Sequence, residues 1–176
     1  MTEHSSGDEQ AGAPQGAVVS HLEVDSGIVV GDDGSGSSQQ AVQWAAEEAA
    51  LRGCDLHVVR AWTMSNAPRP SQWSFGYVPT WPEYEVAVAD VLAHNWDGLA
   101  ERVPALHLHA VHGDPARIIV ESSLAADLVV VGSRGHGRVA EFVLGSVADE
   151  VVRSARCPVV VVRASTTTTT PLPPAD

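Results

Sequence analysis

The chain has 176 residues, of which 44% are hydrophobic and 18% charged, and its formal net charge at pH 7 is −12. This length predicts one globular domain with flexible ends, and the acidity argues against nucleic acid as a partner, because binding it needs a basic surface. All ten basic residues are arginine, so lysine-dependent P-loop and Schiff-base sites are excluded. No apolar run reaches the roughly 18–20 residues that span a bilayer, and no secretory leader is evident, so no membrane association and a cytoplasmic location are expected.

Both ends of the chain lack apolar periodicity. Residues 1–25 are rich in Ser, Gly, Glu and Asp and predict a disordered acidic tail. Residues 165–176 are rich in Thr and Pro and predict a second disordered tail. Residues 26–164 form the predicted domain, where apolar runs alternate with helical periodicity and indicate an α/β fold, an open parallel sheet with helices on both faces. The predicted strands lie at residues 27–31, 56–62, 106–111, 127–131 and 158–163. The predicted helices lie at residues 37–52, 83–103, 115–125 and 146–155.

Residues 63–82 form an irregular loop between the second strand and the second helix. This loop is rich in proline and carries the aromatic residues Trp73, Phe75, Tyr77 and Trp81. Loops of this length in a compact domain are usually either functional or disordered. The aromatic side chains are equally typical of a lid over a ligand and of an anchor to the body, so both interpretations stay open.

A spaced set of glycines follows the fourth strand and is called the glycine loop below. Gly132 and Gly135 come just after the strand, and Gly145 directly precedes Ser146, where the fourth helix is predicted to begin. Glycines let the backbone approach a ligand closely, and the N–H groups at the start of a helix attract anions such as phosphate. The pattern therefore predicts an anion site and suggests a nucleotide.

Polar side chains near these glycines bear on the same prediction. Ser146 is the expected N-cap of the fourth helix, with Asp149 three residues later in a capping-box arrangement. The cations in the loop are Arg134 and Arg138, although exposed loop arginines are usually solvated charges. Because a helix start contributes only about 0.3–1 kcal/mol per charge, several donors must converge to hold a phosphate.

The loop after the first strand is the second candidate edge of the site. It contains Asp32 and Asp33, followed by Gly34 and Ser35. In open α/β sheets, ligands bind beyond the carboxyl ends of the strands, where the strand order reverses. If the first and fourth strands are neighbours, this loop and the glycine loop flank one cleft, where Asp33 could accept hydrogen bonds from a ribose or a base. Considered alone, the two aspartates are better explained as turn residues.

Other groups with potential chemistry predict no site. His107 and His109 share one face of the predicted third strand, with His112 nearby, but a solvated edge strand accounts for this pattern without a metal. Cys54 and Cys157 do not make a disulfide framework and are predicted to be small buried side chains. No nucleophile elbow or metalloprotease motif is present, so the sequence predicts neither catalytic residues nor metal ligands.

Several of these segments resemble motifs of the ATP-binding universal stress proteins. Residues 127–135 together with residues 145–146 match that family's G-2x-G-9x-G-(S/T) motif. Residues 28–35 resemble its opening V-G-x-D-G-S motif. Residues 113–115 resemble the entry to its third helix, and residues 157–162 resemble its closing strand. The motifs occur in the family's order, which makes the resemblance specific.

The resemblance covers roughly residues 26–164 and implies a five-stranded sheet in the order 3-2-1-4-5. It also implies contacts with an adenine nucleotide: Asp33 and Ala61 match the adenine end, with Val131 beside them. The residues that match the ribose and phosphate contacts are Gly132, Gly135, Gly145, Ser146 and Val147. Asp32 stands where the family usually has an apolar residue, and it adds a negative charge to its loop.

The function implied by the resemblance is binding of ATP, with or without Mg²⁺, by a nucleotide-dependent regulator or sensor in the stress response. The resemblance also implies a homodimer formed through the strand from Pro158 to Arg163. Two alternatives stay open: an interaction module of the same fold that binds no nucleotide, and a slow ATP hydrolase. Because no general base is evident, enzymatic activity is the less favoured interpretation.

Overall fold

Five strands and four α-helices make up the part of the protein that the computed structural model describes, which is residues 18–70, 73–135 and 144–163. The strands are β1 (Ile28–Gly31), β2 (Leu56–Trp62), β3 (Leu106–His112), β4 (Leu128–Gly132) and β5 (Val159–Val162). The helices are α1 (Gly36–Arg52), α2 (Trp81–Trp96), α3 (Pro115–Ser122) and α4 (Ser146–Ser154), and a 3₁₀ turn spans Asp97–Leu99. None of the helices in these segments combines the length and the apolar character needed to cross a bilayer.

The strands form one parallel sheet in the order β3-β2-β1-β4-β5. This arrangement confirms the predicted fold and strand order. In the middle of the sheet Val29 of β1 lies opposite His57 of β2 on one side and opposite Val129 of β4 on the other. The chain passes from β1 outward to β3 and then returns to the far side of β1, so the strand order reverses between β1 and β4. Loops that leave two strands at such a point open a crevice between them.

Each face of the sheet carries its own hydrophobic core. Helices α1 and α2 cover one face, where Ala45 and Leu92 pack with Val30. Helices α3 and α4 cover the other face, where Val151 packs with Val29. Val29 and Val30 are both fully buried, because successive strand side chains point to opposite faces and both faces are covered. The valine runs of the sequence therefore serve both cores.

Helix α2 differs most from its predicted bounds. It begins at Trp81 and ends at Trp96, whereas the periodicity predicted helix as far as residue 103. At its end the side chain of Asp97 accepts a hydrogen bond from the Gly98 N–H at 2.7 Å. Such a local bond competes with helical backbone bonding, and glycine has low helix propensity, so the helix gives way to the 3₁₀ turn.

Residues 18–25 pack against the domain, although the sequence placed them in the acidic tail. Leu22 is only 7% exposed and joins the core beneath α3 and α4. The carbonyl of Val19 accepts a hydrogen bond from the His112 N–H at 2.8 Å, and the Val19 N–H donates to the Glu85 carboxylate. The packed region thus begins before residue 26, because Leu22 and Val24 supply an apolar anchor that is too short to show a period. The disordered tails predicted at residues 1–17 and 165–176 lie outside the described residues.

Candidate functional site

The loops that follow β1 and β4 meet at the carboxyl edge of the sheet. A methyl group placed on Gly135 would lie 2.6 Å from Oδ2 of Asp33, so these two residues bring the loops into contact. A methyl group placed on Gly132 would lie 2.9 Å from the backbone of Ser37 and Ser38 at the start of α1. The close approach of the backbone requires glycine at position 132, since Ser37 and Ser38 present backbone atoms that cannot swing aside.

Hydrogen bonds join the same loops. The carbonyl of Arg134 accepts hydrogen bonds from the hydroxyl of Ser37 and, at 3.4 Å, from the hydroxyl of Ser35. The Gly145 N–H donates to the Ser133 carbonyl at 2.9 Å. This last bond brings the two ends of the glycine loop together, so that the first turn of α4 starts beside the end of β4.

One residue of this junction escaped the sequence reasoning, and one predicted cation cannot be placed. Ser37 was not singled out, although the serine-rich run of residues 35–38 at a predicted helix start was an available signal. Arg138 lies within residues 136–143, outside the described residues.

The cap of α4 differs from the prediction. Its N-cap is Gly145, with φ −63° and ψ 156°, and Ser146 is already the first helical residue. The predicted capping box of Ser146 with Asp149 is therefore wrong, and Asp149 pairs instead with Arg153 at 3.0 Å. The first N–H groups of a helix have no intrahelical acceptor, so those of Ser146 and Val147 require an acceptor from outside the helix.

Asp32 is buried and paired with an arginine inside the protein rather than exposed in the cleft. Side chains alternate between the two faces along β1, so Asp32 lies on the same face as Val30, toward α1 and α2. The residue is 4% exposed. Its Oδ2 accepts a hydrogen bond from Trp96 Nε1 at 3.1 Å and lies 3.8 Å from the Arg60 guanidinium. Its Oδ1 accepts hydrogen bonds from the Ser38 hydroxyl at 3.0 Å and from the Gly34 N–H at 2.8 Å. The negative charge that Asp32 adds to its loop is thus balanced by Arg60.

The other predicted contact residues lie at the same edge of the sheet. Ala61 is the next-to-last residue of β2, and β1 separates that strand from β4. Val131 is 3% exposed and packs in the core beneath α3 and α4. Val147 packs against the same core from the first turn of α4. Because the Val131 side chain is buried, only its backbone is available to a ligand.

The long aromatic loop is anchored where it enters α2. Trp81 is the first residue of α2, and its ring centroid lies 6.1 Å from that of Trp62. The hydroxyl of Tyr77 donates a hydrogen bond to the Glu83 carboxylate at 2.6 Å. Phe75, by contrast, is fully exposed. Anchoring therefore explains Trp81 and Tyr77, whereas Phe75 takes no part in it.

The crevice between β1 and β4 combines two kinds of binding group. The first turn of α4 presents the backbone N–H groups of Ser146 and Val147, which suit phosphate oxygens. The carboxylate of Asp33 presents acceptors, which suit ribose hydroxyls or an exocyclic amine. Its Oδ1 already accepts a hydrogen bond from the Ser35 N–H at 2.9 Å, so the carboxylate is oriented before any ligand arrives.

The chain is similar to several solved structures and curated proteins. A universal stress protein in complex with cAMP aligns with a TM-score of 0.58 and 28% identity, over 81% of this chain and 100% of its own. The universal stress protein UspA from Lactobacillus plantarum shows the same fold, with a TM-score of 0.60 and 22% identity over 81% of this chain and 100% of its own. A universal stress protein of Mycobacterium tuberculosis is 40% identical over 142 residues, which are 80% of this chain and 46% of the relative. The chain therefore spans about half the length of that curated relative.

The match to a protein family covers nearly all of the described chain. The pattern of the universal stress protein family matches residues 27–163, which include all the strands and helices named above. The matched region contains both loops of the crevice and the reversal of strand order between β1 and β4. With this match and 40% identity to a curated member, the chain belongs to the universal stress protein family.

Proposed function

We propose that the crevice between β1 and β4 binds ATP and that the protein is a nucleotide-dependent regulator of the stress response. The observation that carries the proposal is the contact between Asp33 and Gly135, which brings a carboxylate acceptor next to the loop that leads into the first turn of α4. An adenosine phosphate has the complementary groups: ribose hydroxyls and an exocyclic amine at one end, and phosphate oxygens at the other. The cytoplasm, where ATP is abundant, is the proposed location.

The individual contacts that we propose are those implied by the family resemblance. Asp33 would accept hydrogen bonds from the nucleoside, with Ala61 and the backbone of Val131 beside the adenine. The phosphates would lie on Gly132, Gly135 and Gly145 and against the first N–H groups of α4, from Ser146 and Val147. A related universal stress protein at 28% identity is in complex with cAMP, which supports an adenine nucleotide as the ligand.

The absence of lysine bears on how the phosphate charge is balanced. The chain has ten arginines and no lysine, and Arg134 is the arginine in the described part of the glycine loop. Backbone donors and one arginine leave much of the charge of a triphosphate uncompensated. Mg²⁺ bound to the phosphate oxygens would supply the remaining positive charge, so we propose that ATP enters as its magnesium complex.

A second copy of the chain is the proposed protein partner. Strand β5 forms one edge of the sheet, and its valines are only partly buried. An edge strand of this kind offers unpaired backbone groups to another strand. We propose that the segment from Pro158 to Arg163 pairs with its counterpart in a homodimer.

The test of ATP binding is titration calorimetry on the purified full chain, with ATP and Mg²⁺, together with mass spectrometry of nucleotide retained through purification. We expect saturable binding and recovery of intact ATP after incubation. Absence of heat and of retained nucleotide at millimolar ATP would favour the interaction module, and steady release of ADP above a blank without protein would favour the hydrolase.

Gly145→Ala tests the site itself. A methyl group there would lie 3.4 Å from its nearest neighbour, the Cα of Arg134, which is ordinary contact, so the fold should tolerate it. The methyl group would occupy space where phosphate must approach the backbone, and we expect ATP affinity to fall at least about tenfold, or ~1.4 kcal/mol. Gly98→Ala is the matched control, because no heavy atom lies within 4 Å of its methyl position. Equal ATP affinity in both variants would refute the assigned phosphate position.

A further inference from the structure

A cluster of histidines lies near the amino-terminal ends of β2 and β3, on the face that carries α3 and α4. His57 of β2 is paired in register with His107 of β3, and their rings stack with centroids 4.5 Å apart. His109 lies two residues further along β3, and its Nε2 is 3.0 Å from Nδ1 of His57. Asp55, just before β2, places its Oδ2 3.0 Å from Nε2 of His107. Side chains from two strands and the preceding turn thus converge on one point.

We propose that Asp55, His57 and His107 form a binding site for a divalent transition metal such as Zn²⁺, with His109 as a positioning residue. One ligand atom from each of the three lies within 4.8 Å of the others. Ligand atoms around a tetrahedral zinc are about 3.3 Å apart, given metal–ligand distances near 2.0–2.1 Å. Two imidazoles and a carboxylate are a donor set that suits zinc, and a water molecule would complete the tetrahedron.

The rigidity of the cluster is graded in a way that suits metal binding. His57 is 7% exposed, and its ring is held by His109, whose Nε2 lies 3.0 Å from the Nδ1 of His57, so Nε2 of His57 is the ligand atom that faces the ion. Metal-binding histidines usually have their second ring nitrogen held by such an outer partner. The His107 and Asp55 side chains are 41% and 44% exposed, so they can rotate out of the stacked arrangement to converge on an ion.

This site is separate from the proposed nucleotide crevice. His57 is the second residue of β2, whereas the crevice lies beyond the carboxyl ends of the strands. The distance along β2 from His57 to Trp62 is about 16 Å at roughly 3.3 Å per residue. A metal at the histidine cluster is therefore distinct from any Mg²⁺ carried by ATP, and the two proposals can fail independently.

The test is to treat the full chain with a chelator and then titrate it with zinc in the absence of nucleotide, with calorimetry as the readout. Replacement of zinc by Co²⁺ supplies a second readout, because cobalt in a tetrahedral site of this kind absorbs visible light. We expect one equivalent to bind in the parent protein. His107→Ala and Asp55→Asn should each weaken binding at least tenfold and reduce the cobalt absorption, and His109→Ala should weaken it about 10–100-fold.

His94→Ala is the matched control, because His94 is exposed on α2, away from the cluster. It should bind zinc as the parent does. If the parent binds no zinc, or if His107→Ala, Asp55→Asn and His94→Ala all bind like the parent, the proposal is overturned and any binding is adventitious. Asp55→Asn is nearly isosteric, so it decides the matter even if His107→Ala does not fold.

Discussion

At the scale of single residues, the buried carboxylate of Asp32 shows how this fold accommodates a charge at the end of a central strand. An unpaired carboxylate at such a position would be costly, but this one has a guanidinium at 3.8 Å and several hydrogen-bond donors. The indole of Trp96 comes from α2 and the hydroxyl of Ser38 from α1. The carboxylate therefore ties the two helices on one face of the sheet to the loop that carries Asp33.

Replacing Asp32 with asparagine should destabilise the protein. The amide has one oxygen in place of two and no charge, so it leaves Arg60 unpaired and cannot accept from both Trp96 and Ser38. Hydrogen bonds to charged groups contribute about 1.5–3 kcal/mol, and we expect the free energy of unfolding to fall by about that amount. Urea denaturation, monitored by circular dichroism, measures this change in the free energy of unfolding.

Asp90→Asn is the control for this prediction, since Asp90 is exposed on α2. Its free energy of unfolding should stay within about 0.5 kcal/mol of the parent. An unchanged stability in Asp32→Asn would show that the carboxylate does not tie the helices to the loop.

At the scale of elements, the start of α2 depends on a carboxylate. The carboxylate of Glu83 accepts hydrogen bonds from the N–H of Thr80 at 2.7 Å and from its hydroxyl at 2.8 Å. It also accepts one from the Tyr77 hydroxyl. The bond from Tyr77, followed by those from Thr80, lowers the pKa of Glu83 below its usual value of 4.5. The end of the aromatic loop and the first turn of α2 are thus joined through one side chain.

The lowered pKa of Glu83 predicts a pH dependence of stability. A depressed carboxyl pKa means that the stabilisation is present above pH about 4.5 and is lost as pH falls through the pKa of the folded state. We expect the difference in unfolding free energy between the parent and Glu83→Gln to be largest above pH 5 and to shrink toward pH 3. Urea titrations across this range test the trend.

Glu101→Gln, on the exposed segment after α2, is the control and should show no comparable trend. If the difference in unfolding free energy between the parent and Glu83→Gln stays constant from pH 6 to pH 3, then ionised Glu83 does not stabilise the start of α2.

At the scale of the whole molecule, the two edges of the sheet differ. The edge at β3 is long, and the segment before β1 covers one end of it. There the His112 N–H donates a hydrogen bond to the Val19 carbonyl. The edge at β5 consists of four valines, of which Val159 and Val161 face one core and Val160 and Val162 the other. The apolar side chains and unpaired backbone groups of this edge suit pairing with a second copy.

Val161→Lys should shift the proposed dimer toward monomer. A charge on an edge strand opposes pairing with a second strand, because the partner would have to desolvate it. We expect light scattering after gel filtration to give half the mass of the parent. Val152→Lys, at a position 48% exposed on α4, should keep the parent's mass. A parent that is already monomeric at all concentrations would refute the proposed dimer.

The helices and strands were largely predictable because hydrophobic periodicity is a local property. The valine runs of β1, β4 and β5 and the apolar face of α1 were recognisable within short windows of sequence. The ends of elements were less predictable, as at Gly145 and Asp97, because capping depends on small differences between neighbouring residues. The packing of Leu22 could not be predicted, since Leu22 and Val24 are too few apolar residues to establish a period.

By itself the sequence determined the α/β class, the glycine spacing after β4 and, through its resemblance, the strand order and the proposed ligand. Only the tertiary structure decided that Asp33 touches Gly135, that Asp32 is balanced by Arg60, and that His57 joins His107. These pairs come from different strands and loops, far apart in the chain. Their meeting depends on strand register and on the twist and packing of the sheet, which no local pattern of residues encodes.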